Sequence, residues 1–164
     1  VDAWLTTMAL MANSIAPRLP LTIGWSKAEA ATDLLDRVDA VSYHDYAAPE
    51  GTADRLATVR GSARGKPVLV TEIGASSYTL ALGLPGTKAT QATALQDRLA
   101  QLARADGVLV WTLYDLADPD AVAVGASPWV QRLQSRFGVL DAQGDLKPAG
   151  TAVQAAFAAA PRSP

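Results

Sequence analysis

The sequence predicts an α/β fold in which about four parallel strands alternate with helices. Three observations carry this expectation. Short continuous apolar runs fall at 21–25, 39–46, 67–73 and 107–114, segments of helical period separate them, and Gly and Pro punctuate the boundaries. Strands that are apolar on both faces, with helical segments between them, imply right-handed βαβ units and a covered parallel sheet. Half of a (β/α)8 barrel satisfies that order, and so does a four-stranded doubly wound sheet. The chain has 164 residues, which fits one domain over 1–164 but not a complete eight-stranded barrel of roughly 250 residues.

The elements follow in order. Trp4, Met8, Met11 and Ile15 recur at helical spacing, with Trp4 expected to pack, and Pro17 and Pro20 close that helix. The run LTIGW at 21–25 reads as a buried strand. Ser26 and Glu29 have the spacing of a capping box for a helix whose apolar face is Leu34, Leu35 and Val38. The run DAVSYHDY at 39–46 reads as the next strand, followed by a helix over 52–64 with Leu56 and Val59, stopped by Gly65. PVLVTEI at 67–73 is the clearest strand. A Gly/Ser/Pro-rich loop then leads to a helix over 90–105 carrying Leu95, Leu99 and Leu102. GVLVWTLY at 107–114 is the last strand, and a long connection precedes a closing helix from about 148 to 160.

Composition removes whole classes of function. Hydrophobic residues make up 49% and charged residues 18%, so a core is available and wholesale disorder is not expected. The formal net charge of -2, with no basic run, argues against a nucleic-acid partner. No apolar stretch reaches the roughly 18 residues that span a bilayer, so no membrane partner is expected. Without cysteine there is no disulfide scaffold, thiolate metal site or cysteine nucleophile. No G-x-G-x-x-G loop or G-x-S-x-G elbow follows a strand. The chain begins at Val1 with no leader sequence, which suggests a processed, excised or truncated chain.

In α/β folds of this order ligands gather beyond the carboxyl ends of the strands. Those ends hold Trp25-Ser26, Tyr43-His44-Asp45-Tyr46, Thr71-Glu72 and the stretch from Trp111 to Asp115. Side chains alternate across a strand, which groups Glu72 with Val68 and Val70, and His44 with Ser42 and Tyr46. A carboxylate ending an apolar strand is costly to bury without partners. The imidazole of His44 and the phenol of Tyr46 are suitable donors, and both would fix its orientation.

At this point the residues resemble a known family. KPVLVTEIG at 66–74 is similar to the seventh strand of the retaining glycoside hydrolases of clan A, the cellulase-like (β/α)8 barrels. His44-Asp45-Tyr46 resembles the His-x-Tyr of their sixth strand, and Val110-Trp111-Thr112 resembles their eighth. FGVLDAQGDLKPA at 137–149 resembles the approach to their last helix. The resemblance implies the C-terminal half of a TIM (β/α)8 barrel. It also implies Glu72 as nucleophile, His44 and Tyr46 as the residues that orient it, and Trp111 as the floor of a sugar subsite. Trp25, Tyr114 and Asp115 are further candidates for substrate contact, while Tyr78, Ser76 and Trp129 are weaker ones. No metal or cofactor is implied.

A retaining glycosidase needs a second carboxyl group as acid/base, about 5–5.5 Å from the first. In the family this is the glutamate of an Asn-Glu pair on the fourth strand, yet Asn13 is the only asparagine here and lies in the first helix. Glu29 is explained by its place in a helix's first turn, Glu50 is a poor stand-in, and Asp45 and Asp115 match no acid/base position. The expected protein is therefore a glycosidase of β-linked glycosides or polysaccharides whose nucleophile half lies in this chain. Four strands leave two sheet edges open. An N-terminal half-barrel or a second copy of the chain is thus expected as partner, with a carbohydrate as substrate. Two alternatives are a carbohydrate-binding relic without turnover and an unrelated doubly wound binding domain. Export follows only from analogy with polysaccharide-degrading relatives.

Overall fold

A computed structural model describes residues 1–78, 86–120, 122, 125 and 127–160. Residues 79–85, part of the expected Gly/Ser/Pro-rich loop, lie outside the described residues. In order, the elements are α1 (Asp2–Ile15), β1 (Gly24–Trp25), β2 (Val41–Asp45), α2 (Thr52–Ser62), β3 (Val68–Ile73), α3 (Lys88–Gln101), β4 (Gly107–Val110), α4 (Pro128–Gln134) and α5 (Pro148–Ala159). The strands form one parallel sheet in the order β1-β2-β3-β4. Strand order equals chain order, as in one arc of a barrel and unlike a doubly wound sheet, where the order reverses. Among the described helices none is long and apolar enough to cross a membrane.

The chain divides into two compact units, Val1–Glu72 with Arg104–Leu109, and Ile73–Ala103 with Val110–Pro164. The first contains the sheet apart from the final residues of β3 and β4. Its core is Val41, Tyr43, Val68 and Val70 with Leu56 and Val59 of α2, plus Leu35 and Val38. Thr22 Oγ1 donates to the carbonyl of Ala40 at 2.8 Å and lies 2.9 Å from Ser42 Oγ, which itself donates to the carbonyl of Ile23. These bonds fix the register of β1, where Gly24 pairs with Ser42 and Trp25 with Tyr43. Asp45 is buried and takes a two-point contact from Arg55 of α2, each bond 3.1 Å, so the end of β2 is tied to the helix that follows it. Arg60 and Asp106 pair at 3.0 Å, and Asp106 also accepts from the Val68 N–H at the start of β3.

Several elements differ from the sequence expectation. The segment 26–38 is not an α-helix: it makes two 3-10 turns, Ala28–Ala30 and Leu35–Arg37, and neither has a side-chain cap. Its first half offers only alanines and polar residues to the core, so nothing packs a full helix there, and Leu34 takes a left-handed φ of 57° that brings Leu35 and Val38 inward. Lys66 Nζ donates to the carbonyls of Leu35 and Val38 and holds the turn. In α1 the face that packs is Ala9 with its neighbours Leu5 and Ala12. Trp4 is 62% and Ile15 79% exposed, contrary to the packing expected of Trp4. Gly65, with φ +80° and open space where a Cβ would go, ends the α2 unit for conformational reasons, as expected.

The second unit packs α3 against α5 through Leu95, Leu99, Leu102, Ala149 and Val153. Thr87 caps α3 by accepting from the Thr90 N–H while its own N–H donates to Thr90 Oγ1. The last strand is shorter than expected. After Trp111, whose N–H reaches the carbonyl of Ile73 and whose bond to Thr112 is cis, the backbone changes partner. Thr112, Leu113 and Asp115 exchange hydrogen bonds with Phe137, Val139 and Leu140 instead. Gly138 permits that approach, since a Cβ there would collide with the backbone of Tyr114 and Asp115. The long connection also holds α4, which the sequence reading missed although Ser127-Pro128 carries a Pro-at-N1 start signal.

Two buried polar arrangements have measurable consequences. Tyr43 is fully buried, and its hydroxyl has no hydrogen-bond partner among the described residues. Burial first, and then the Asp45 charge, push the phenol up to about 12 against an opposing contribution from Arg55. The folded state therefore keeps a proton that the unfolded chain loses near pH 10, so stability must fall between pH 10 and 12, by up to about 3 kcal/mol. Tyr43→Phe is expected to be no less stable than the parent at pH 7 and to lack this alkaline loss, as read by urea unfolding at pH 7 and 11. In the second unit Lys147 and Asp115, 0% and 2% exposed, pair at 2.9 Å. Burial holds the ammonium pKa below the ordinary lysine value, while the bond to Asp115 opposes the shift. Lys147→Met is expected to cost about 3 kcal/mol by leaving buried Asp115 with only the longer contact to the half-exposed Arg136. Adding Asp115→Asn should restore most of that loss in urea unfolding.

Candidate active site

The site in the first unit is built on the ends of β2 and β3. The faces of these strands follow from their neighbours. Val68, Val70 and Tyr43 are fully buried. Thr71 and His44 share the other face, where both lie near Gly24. Glu72 would be expected on the face of Val68 and Val70, but at the end of β3 the alternation gives way and its carboxylate meets His44 and Tyr46. The grouping of Glu72 with the two valines is corrected in this respect. The burial of β3 shows the same break, with Val68, Val70 and Ile73 buried and Leu69, Thr71 and Glu72 only partly so.

Three side chains converge. Tyr46 Oη donates to Glu72 Oε2 at 2.9 Å, and His44 Nδ1 lies 3.5 Å from the same oxygen. The other oxygen, Oε1, has no hydrogen-bond or ion-pair partner among the described residues. The Glu72 side chain is 30% exposed, so the free oxygen can be reached. One carboxylate oxygen is thus held while the other is available, an arrangement suited to nucleophilic attack or to accepting a proton. Asp45, between His44 and Tyr46 in sequence, points the other way into Arg55 and takes no part. Trp25 is half-buried on β1 beside Tyr43.

The remaining candidates belong to the second unit. Trp111 and Tyr114 are exposed. Asp115, expected to line a cleft, is an internal anchor instead: its Oδ1 accepts from Lys147 Nζ and the Gly138 N–H, and Arg136 lies 3.6 Å from Oδ2. Ser76 donates to the carbonyl of Leu133 and also accepts from the Tyr78 N–H. Trp129 is exposed on α4. The sequence reading missed Lys147. Its signal was weak, since a lysine before a proline reads as solvated until an aspartate is found against it. Among the described residues no group of three His, Asp or Glu side chains stands ready to hold a metal.

Comparison with known proteins gives a likeness of fold. No protein-family model matches the chain, and no curated protein sequence does. Solved structures do match. A glycoside hydrolase family 2 β-galacturonidase from Eisenbergiella tayi, bound to galacturonate, superposes with a TM-score of 0.75 at 21% identity, over 96% of this chain and 30% of its own. A family 17 β-1,3-glucanosyltransferase from Rhizomucor miehei gives 0.68 at 17%, over 93% and 58%. A GH5_18 protein from Bifidobacterium longum subsp. infantis gives 0.58 at 21%, over 84% and 33%. The chain thus spans between 30% and 58% of the length of these proteins. With its strand order, the likeness establishes that this chain has an α/β fold of four parallel strands alternating with helices, as in part of a TIM barrel; the structures it resembles are glycoside hydrolases.

Proposed function

We propose that the chain supplies the nucleophile half of a retaining glycoside hydrolase acting on a β-linked glycoside or polysaccharide. One observation carries the reading: Glu72 Oε2 is held by Tyr46 and faced by His44, while Oε1 is left without a partner among the described residues. In the proposed reaction Oε1 attacks the anomeric carbon as the glycosidic C–O bond breaks, through an oxocarbenium-like transition state. The leaving oxygen takes a proton from a general acid, and a covalent glycosyl-enzyme remains. Water, deprotonated by the same group, then displaces Glu72 and restores it.

In this scheme Tyr46 and His44 fix the plane of the carboxylate, so that attack costs little reorientation. Trp111, in the second unit, is proposed as a sugar-binding residue. It is 44% exposed, and an indole face suits the C–H groups of a pyranose. Trp25 and Tyr114 are proposed as further sugar contacts. The general acid is assigned to a partner, because Asp45 and Asp115 are engaged in buried ion pairs and Glu50 is exposed in a 3-10 turn after β2. The proposed partner is a complementary half-barrel, supplied either by an N-terminal sequence or by a second copy.

The test is covalent trapping. With the complementary half present, an activated 2-deoxy-2-fluoro glycoside is expected to label Glu72, as read by peptide mass spectrometry, and Glu72→Gln should abolish the label. A label on another residue sinks the assignment, and binding without any label points to the non-catalytic alternative. Tyr46→Phe removes one hydrogen bond to a charged group. It is expected to slow labelling by about 10- to 100-fold without displacing the label from Glu72.

A further inference from the structure

Gly24 differs from the turn glycines of this chain. At Gly65 a positive φ requires glycine and the space beside it is empty. At Gly24 the backbone lies outside the left-handed region, so any residue could adopt it, and the space is what is taken. A Cβ built at Gly24 would lie 3.2 Å from His44 Nε2 and 4.0 Å from Thr71 Oγ1. Glycine inside a strand weakens that strand, so the missing side chain needs a reason.

We propose that Gly24 is a positioning residue whose bare backbone seats the His44 imidazole against Glu72. The function of that seat rests on the reading of Glu72 as the reacting carboxylate. The imidazole is a rigid ring, with Nε2 3.2 Å from the place a Cβ at position 24 would take and Nδ1 at 3.5 Å from Glu72 Oε2. Displacing one nitrogen therefore displaces the other. The seat cannot slide, because the Thr22–Ser42–Ile23 hydrogen bonds and the Gly24–Ser42 pairing hold the register of β1 on β2. A Cβ at 3.2 Å forces the ring to give by a few tenths of an ångström. At 3.5 Å the Nδ1–Oε2 contact is already longer than an ordinary hydrogen bond, so a shift of that size further weakens the electrostatic contact between imidazole and carboxylate. A β-branched side chain would fill the seat altogether.

The test uses the fact that His44 is the sole histidine, so one pair of imidazole 15N resonances reports on it. In the parent chain Glu72→Gln is expected to move the Nδ1 resonance. In Gly24→Val the same substitution should move it by about half as much or less, since the pair is uncoupled. A response as large in both backgrounds overturns the proposal. If Gly24→Val fails to fold, urea unfolding of Gly24→Ala with and without His44→Ala replaces it. The loss caused by Gly24→Ala should vanish when the imidazole is gone, and an equal loss in both backgrounds overturns the seat. Trapping of Glu72 is read separately: an intact 15N response with an unlabelled Glu72 removes the glycosidase reading, not the seat.

Discussion

A carboxylate at the end of an apolar strand needs donors nearby if it is to stay charged and keep one orientation. Here the phenol of Tyr46 supplies the short bond, and the imidazole of His44 faces the same oxygen from 3.5 Å. The consequence is an asymmetric carboxylate, with one oxygen committed to the protein and the other left to solvent or substrate. Much of the first unit can be understood as the support that makes this contact possible. β2 has to present two residues at the right height, and β1 has to leave room behind one of them.

β2 is held from both sides. On its helix face Tyr43 is buried in the core, and Asp45 is locked by Arg55, which also donates to Ala48 and Thr52 at the start of α2. On its other face the Thr22–Ser42 bonds set the register with β1. The two systems share no atoms, yet together they leave His44 and Tyr46 little freedom in height or direction. Asp45 shows how proximity in sequence misleads. It stands between two site residues and faces the opposite way, because side chains on a strand alternate.

The second unit follows a different logic. Segment 112–115 abandons the strand direction because its backbone groups find partners in 137–140, an exchange that Gly138 makes sterically possible. Asp115 and Lys147 close that arrangement from within. A buried ion pair of this kind is costly to desolvate and costly to break, so it serves geometry better than net stability. It fixes the approach to α5 and uses up an aspartate that would otherwise be counted as a ligand group.

The order of the four strands, the identity of β3, the stop at Gly65 and the gathering of Glu72, His44 and Tyr46 at strand ends were legible in the sequence alone. Apolar runs, turn residues and alternation are local signals, each written within a few adjacent positions. The fate of 26–38, the exposed stripe of α1, the early end of β4 and the burial of Asp115 were not legible. Each depends on a partner distant in sequence: Lys66 for the turn at Leu35, Phe137 to Leu140 for Thr112, Lys147 for Asp115. The empty place at Gly24 belongs to the same group, because only the folded sheet brings His44 to lie over a residue twenty positions earlier. Local pattern determines which elements form, and competition among distant partners decides where they end and which side chains remain free.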